Sequence, residues 1–132
     1  MPKPRKSPPH PFVLEALEPV HPRTQSMFSA HAVYVGQKLV LFLRDSLKHP
    51  GDNGVWIATI PEHHASLCAE LPSMRAIGLL DGKIAGWQVL PIDAEDFERE
   101  ALHACDLILR RDPRIGKIPK PKGTRKPKSR QT

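Results

Sequence analysis

The sequence predicts a single α+β domain in which helices pack on a mainly antiparallel sheet. Two observations support this prediction: β-rich runs separated by glycine-containing turns, and segments with helical spacing of apolar residues. Hairpins join antiparallel strands, and helices beside them bury one face of such a sheet. The domain is predicted over residues 12–113 of 132, between an arm at residues 1–11 and a tail at residues 114–132.

The first half of the domain predicts one short helix and three strands. "PFVLEALEPV" predicts a helix that ends near Pro19. In "AVYVGQKLVLFLR", two β-rich runs flank the hairpin turn Gly36-Gln37, and "VWIATI" predicts a third strand. Strand alternation predicts one face with Leu39, Leu41 and Leu43, and an opposite face with Val40, Phe42 and Arg44.

The second half predicts a helix, two strands and a final helix. "PEHHASLCAEL" has Pro61 in its first turn, as a helix start does. "MRAIGLLDGKIAGWQVLPI" predicts two strands around a turn at Asp81-Gly82. The last helix is predicted to start at Asp93 as its N-cap. Its apolar face is predicted to consist of Phe97, Ala101, Ala104, Cys105 and Ile108, with Leu102 and Leu109 beside it.

The charges divide unevenly along the chain, whose formal net charge is +6. Residues 12–113 carry nine Lys and Arg against fourteen Asp and Glu, a difference of 9 − 14 = −5. The arm and the tail carry the other eleven cations and no acid. Both ends are rich in proline and poor in large apolar residues, so we expect them to be disordered.

The first residues are basic but lack the apolar h-region of a secretory signal, and the longest apolar run, "LVLFL", is too short to span a bilayer. A cytoplasmic protein without membrane contact is therefore expected. Cys68 and Cys105 lie in apolar contexts within predicted helices, where we expect buried, reduced thiols.

His63, His64 and Cys68 form the best candidate for a metal site, since His64 and Cys68 are one helical turn apart. Adjacent histidines point about 100° apart on a helix, and no CxxC or HExxH pattern supplies further ligands. The sequence therefore predicts no metal, no cofactor and no catalytic residue. The acidic residues are interpreted as a solvated helix start; they are Asp93, Glu95, Asp96, Glu98 and Glu100.

Trp56 and Trp87 are expected in the core, because aromatic side chains dominate small cores. The alternative is that a half-exposed Trp, or Tyr34 and Phe42 on an outer sheet face, stacks a nucleobase.

The tail carries the clearest functional signal. Cations without counter-charge attract polyanions, and each neutralised phosphate releases a counterion. The predicted nucleic-acid-binding residues are Arg114, Lys117, Lys120, Lys122, Arg125, Lys126, Lys128 and Arg130. Such contacts fit DNA or RNA with low sequence specificity; a tail that only solubilises is the alternative.

The stretch "PRTQSMFSAHAVYVGQKLVLFLRD" resembles the opening of the TfoX N-terminal domain family. The family pattern is matched at Arg23, Met27, Phe28, Tyr34 and Gly36, whereas Ser29-Ala30 replaces the family's glycines. The second half resembles the related MmcQ/YjbR family at Pro72, Trp87 and the helix from Asp93. The resemblance covers about residues 12–113 and implies a DNA-binding fold. The resemblance does not extend to the separate C-terminal domain of full-length TfoX regulators, so a role in competence is not implied.

These observations favour a non-enzymatic, nucleic-acid-associated or regulatory module that contacts backbones mainly through its basic termini. One alternative is a protein-interaction adaptor that uses the acidic domain. A second is a small enzyme whose Cys and His residues meet only on folding.

Overall fold

The computed structural model describes residues 9–27, 30–46, 50–77 and 86–118. Its strands are β1 Arg23–Met27, β2 Ala30–Val35, β3 Lys38–Arg44, β4 Gly54–Ile57, β5 Arg75–Ala76 and β6 Gln88–Pro91. Its α-helices are α1 Pro11–Ala16, α2 His64–Glu70 and α3 Phe97–Leu109. Short 3₁₀ turns occur at Glu18–Val20, Pro50–Asp52 and Pro61–His63.

The six strands form one antiparallel sheet in the order β1-β2-β3-β4-β6-β5. The main core lies between one face of this sheet and the helices, where Leu41 and Val55 meet Val13, Leu67 and Cys105. The predicted α+β class and the Gly36-Gln37 hairpin are confirmed. Gly36 has φ +62°, the left-handed conformation that a tight hairpin turn favours in glycine.

The predicted alternation along β3 is wrong at two residues, Leu39 and Val40; Leu39 is half-buried and does not belong to the main core with Leu41 and Leu43. Val33 pairs with Leu41 and Tyr34 pairs with Leu39, so Val40 is an extra residue in the ladder. This bulge places Val40 in the main core beside Leu41. Phe42, by contrast, packs in a separate cluster on the other face, as alternation predicts.

β1 has the sequence RTQSM, and the sequence analysis did not predict it as a strand. It pairs along its whole length with β2, from Arg23 opposite Tyr34 to Met27 opposite Ala30. Its polar composition suits a strand at the edge of a sheet. The segment forms a strand because it pairs with β2, and not because its residues favour strands.

α3 begins at Phe97, four positions after the predicted N-cap Asp93, and Asp96 occupies the N-cap without a side-chain capping bond. The chain first makes turns in which Ala94 N–H donates to Pro91 O and Phe97 N–H to Ala94 O. The predicted apolar face is buried, but Leu102 is 45% exposed.

The structured domain extends beyond both predicted boundaries. Ile115 is 2% exposed within the main core, and Lys117 pairs with Leu39 through two backbone hydrogen bonds of 2.8 and 2.9 Å. At the other end, His10 Nε2 lies 3.1 Å from Arg44 O, and its ring packs edge-on against Phe97. The described fold therefore continues past residues 12 and 113, through the contacts of His10 at one end and of Ile115 and Lys117 at the other.

Several expectations fall outside the described residues. They are the disorder of residues 1–8 and 119–132, the turn Asp81-Gly82, and the family positions Phe28 and Ser29. Within the described ranges, no helix has the length and apolar character needed to cross a membrane.

Candidate nucleic-acid interface

One face of the sheet carries aromatic side chains instead of helices, among the residues that the structure describes. We call this the helix-free face. Phe42 and Trp87 stack with ring centroids 4.7 Å apart and planes inclined by 20°, and Trp56 packs against both rings at 5.9 and 6.4 Å. Ile77 and Val89 complete the cluster. Phe42, Trp56 and Val89 come from the adjacent strands β3, β4 and β6, while Trp87 directly precedes β6 and Ile77 directly follows β5.

The two tryptophans occupy different environments in this cluster. Trp56 is 4% exposed, and its indole Nε1–H donates to Asp52 O at 2.8 Å. Trp87 is half-buried, so it is the outer member of the cluster. The expectation of a core position is confirmed for Trp56, whereas Trp87 meets the description of the half-exposed alternative.

The backbone before Trp87 is fixed by its neighbours. Gly86 has φ +93°, and a Cβ there would lie 2.5 Å from Thr59 O. Its carbonyl oxygen lies 2.8 Å from His64 Nε2. Trp87 therefore follows a residue that only glycine fits, held between the end of β4 and α2.

Three cations lie over aromatic rings on the helix-free face. Arg23 Cζ lies 5.2 Å from the Tyr34 ring centroid, Arg44 Cζ lies 5.4 Å from that of Trp56, and Lys117 Nζ lies 5.8 Å from that of Trp87. These distances are within the range of cation–π attraction. In the described part of the chain, no carboxylate forms an ion pair with any of the three.

Arg44 is unusual because it is only 6% exposed. Its guanidinium Nε is buried and has no hydrogen-bond partner among the described residues. Burying a charge without a partner is costly, and the ring of Trp56 compensates for only part of that cost. Alternation along β3 placed Phe42 and Arg44 together, which was the sequence signal for this pair.

The arginines on the helical side differ from those on the helix-free face. Arg99 pairs with Asp96 at 2.7 Å and Arg110 pairs with Asp106 at 3.0 Å. Acidic residues of α3 and its approach therefore neutralise nearby cations. Beside the aromatic cluster, Arg75 also pairs with Asp52, at 3.2 Å, whereas Arg23, Arg44 and Lys117 have no carboxylate partner among the described residues.

Arg114 belongs to a compact ion-pair network that also holds the start of the C-terminal segment. Its guanidinium bonds Asp112 Oδ1 at 2.9 Å and Oδ2 at 2.7 Å, Glu70 Oε2 at 2.6 Å and Ser66 Oγ at 3.3 Å. His103 Nε2 lies 2.9 Å from Glu70 Oε1. The hydrogen bonds from Arg114 lower the pKa of Asp112 to about 2, and bonds from His103 and Arg114 lower the pKa of Glu70.

The predicted nucleic-acid-binding residues therefore separate into three groups. Arg114 donates its hydrogen bonds to residues of the domain, whereas the sequence analysis grouped it with tail cations that lack a counter-charge. Lys117 lies over Trp87 on the helix-free face. The remaining six lie outside the described residues: Lys120, Lys122, Arg125, Lys126, Lys128 and Arg130.

The cysteines and histidines do not converge on one site. Cys68 is exposed, contrary to the expectation of a buried thiol, because it lies on the outer side of the short helix α2. Cys105 is buried as predicted, and desolvation raises its pKa to about 12, which disfavours the thiolate that a nucleophile needs. Among the described residues, no three His, Cys, Asp or Glu side chains are grouped as a metal site.

One member of the acidic cluster has a structural role that the sequence did not indicate. Glu100 is 2% exposed, and its carboxylate accepts hydrogen bonds from Ser73 N–H and Ser73 Oγ–H, each at 2.9 Å. It joins α3 to the turn after α2. Asp93, Glu95, Asp96 and Glu98 are exposed, as expected for a solvated helix start.

Comparison of the chain with known protein families, curated proteins and solved structures found no match. The resemblance to the TfoX and MmcQ/YjbR families therefore stays a prediction.

Proposed function

We propose that the protein is a non-enzymatic, nucleic-acid-associated binding module that contacts phosphate backbones mainly through its basic termini. The observation that carries the proposal is the route of the chain into the tail. Lys117 pairs with Leu39 at the edge of β3, and its ammonium lies over Trp87. The basic tail therefore follows a cation that lies beside the helix-free face, while Ile118 lines a cleft that reaches the end of α3.

This arrangement favours a common polyanionic ligand for the tail and that face. The tail supplies non-specific phosphate contacts. Because the tail follows Lys117 in the chain, a nucleic-acid backbone bound by the tail also lies near the helix-free face. A polyanion on the opposite side would approach the acidic residues of α3, which would repel it.

The test is a salt titration of binding to duplex DNA and to structured RNA. The truncation must remove only residues 119–132, because Ile115 is part of the core and Lys117 is paired with β3. A full-length variant with all six distal cations changed to Gln controls for tail length. Those six are Lys120, Lys122, Arg125, Lys126, Lys128 and Arg130.

The expected result follows from counterion release. If half of the six cations contact phosphates, the slope of log affinity against log salt is more negative by about 2 to 3 for the intact protein than for either variant. Affinity should depend little on base sequence, since Lys and Arg contacts to phosphates position a ligand without reading its bases. Equal affinities and slopes for all three proteins would contradict the proposal.

The adaptor function is the second candidate, and one specific observation favours it. A cleft of about 580 Å³ between the β2–β3 hairpin and the end of α3 is lined by Val20, Val35, Val40 and Ile118. Ile118 is 65% exposed, so this cleft offers apolar surface to a protein side chain. A partner captured equally with and without nuclease treatment, and lost in Ile118→Ser, would support the adaptor.

A further inference from the structure

We propose that the helix-free face binds unpaired bases of a single-stranded nucleic acid, with Trp87 as the stacking residue and Lys117 and Arg44 as flanking phosphate-binding cations. This inference rests on the proposed function, of which it names the ligand class and the contact residues. It assigns to the folded domain a contribution beyond that of the tail.

Trp87 has the properties of a prearranged stacking platform. One side of its indole is supported by the nearly parallel ring of Phe42, and the residue before it is held by Thr59 and His64. Trp87 is half-buried, in contrast to the enclosed Trp56. An aromatic plane that is supported from behind loses little conformational freedom when a base stacks on it.

The two cations lie at opposite ends of the aromatic cluster. Lys117 is paired with Leu39 near the start of β3, and Arg44 is the last residue of that strand. Leu39 and Arg44 are five positions apart on β3, and the bulge at Val40 makes their separation shorter than the roughly 16 Å of a regular strand. A backbone that crosses the cluster along β3 can therefore meet a cation before and after the stacked base.

Neither cation has a carboxylate partner in the described part of the chain. Arg44 is 6% exposed and its buried Nε lacks any hydrogen-bond partner there, so a phosphate reaches this nitrogen only when the side chains that cover it move. A phosphate that accepts hydrogen bonds from the Arg44 guanidinium would satisfy a group that the folded protein leaves unsatisfied. Charge complementarity thus selects a polyanion over a neutral apolar partner for this face.

The aromatic plane selects single strands over duplexes. Bases in a duplex are stacked on one another, whereas an unpaired base can turn its π-face onto Trp87. Every base has a π-face, so the preference for single strands should tolerate sequence changes. The ligand class is therefore defined by unpaired bases, whether the sugar is ribose or deoxyribose.

The experiment measures binding of the full chain to short labelled oligo(dT), oligo(U) and a mixed-sequence duplex of equal length. Trp87→Leu should weaken both single strands about 5- to 100-fold and leave duplex affinity unchanged. Lys117→Gln should weaken single-strand binding and reduce its salt slope by about 0.7. Arg110→Gln removes one charge from the helical side and should change neither quantity.

Intrinsic fluorescence gives a second measurement, because the chain has two tryptophans. Single strands should quench Trp87 in Trp56→Phe and leave the emission of the enclosed Trp56 unchanged in Trp87→Phe. Thermal unfolding of each variant separates loss of the fold from loss of the site. Should Trp87→Leu fail to fold, Lys117→Gln and its Arg110→Gln control decide the question.

The possible failures are distinguishable. If wild-type protein binds but Trp87→Leu and Lys117→Gln bind single strands as wild type does, the stacking inference is overturned and the proposed function stands. If wild-type protein binds no oligonucleotide at low salt, both fall. If Trp87→Leu instead dissociates a dimer detected by sedimentation without changing oligonucleotide affinity, the face is an interface between copies.

Discussion

Replacing Arg114 by Met tests whether this residue is structural, as its ion-pair network indicates, and not a tail cation. Methionine keeps an unbranched apolar stem but removes every guanidinium donor. The change breaks a bidentate pair with Asp112, a bond to Glu70 and a bond to Ser66. It leaves Asp112, whose side chain is only 15% exposed, without its cation.

The expected magnitude comes from the exposure of each pair. Arg114 and Asp112 are 19% and 15% exposed at their side chains, and hydrogen bonds to charged groups contribute about 1.5–3 kcal/mol. Glu70 is 37% exposed, so solvent screening reduces its share to about 0.5 kcal/mol. We expect Arg114→Met to lower the free energy of unfolding by about 2–3 kcal/mol, which for a domain of this size lowers Tm by about 8–24 °C.

The assay is urea denaturation of wild type, Arg114→Met and the matched control Arg110→Met. The Arg110–Asp106 pair is 73% and 45% exposed, so its loss should cost only about 0.3–0.5 kcal/mol. Equal losses in the two variants would refute the structural role of Arg114. An unchanged salt slope for nucleic-acid binding in Arg114→Met is also expected, because its donors are used within the domain.

The pH dependence of the free energy of unfolding gives an independent test of the Arg114–Asp112 pair. Arg114 lowers the pKa of Asp112 from 3.8 to about 2, so the pair contributes its full stabilisation above pH 4. That contribution, about 1–2 kcal/mol, is lost as pH falls from about 4 to 2, where Asp112 becomes protonated in both states. The stability difference between wild type and Arg114→Met should therefore shrink across this window. A difference that is constant with pH would show that lost packing, not charge, causes the effect.

Two further outcomes follow from buried and exposed groups. A thiol reagent should modify Cys68 in the native protein, whereas Cys105, with its raised pKa of about 12, should react only on unfolding; equal native rates would contradict the assigned burial. Glu100→Gln should cost about 1–3 kcal/mol, because one of the two hydrogen bonds from Ser73 loses its carboxylate acceptor. The exposed neighbour Glu98→Gln is the control, and similar denaturation midpoints for both variants would count against the buried contact.

The sequence alone predicted the α+β class, the hairpin and most of the core of α3. These features depend on local periodicity and turn chemistry, which the chain carries in consecutive residues. Strand alternation also placed Phe42 and Arg44 on one face, so part of the candidate interface was predictable. The polar strand β1 was not, because its pairing with β2 depends on the neighbour and not on its own residues.

Only the tertiary structure decided which charged groups are free. Arg114 and Lys117 look alike in the sequence, yet one is held by Asp112 and Glu70 and the other lies over Trp87. Their difference arises because the buried Ile115 anchors the chain between them, which leaves Arg114 against Asp112 and Glu70 and pairs Lys117 with Leu39. The net charge of a segment does not depend on where its side chains lie. Whether a given cation can bind a ligand depends on which carboxylates folding brings within a few ångströms of it.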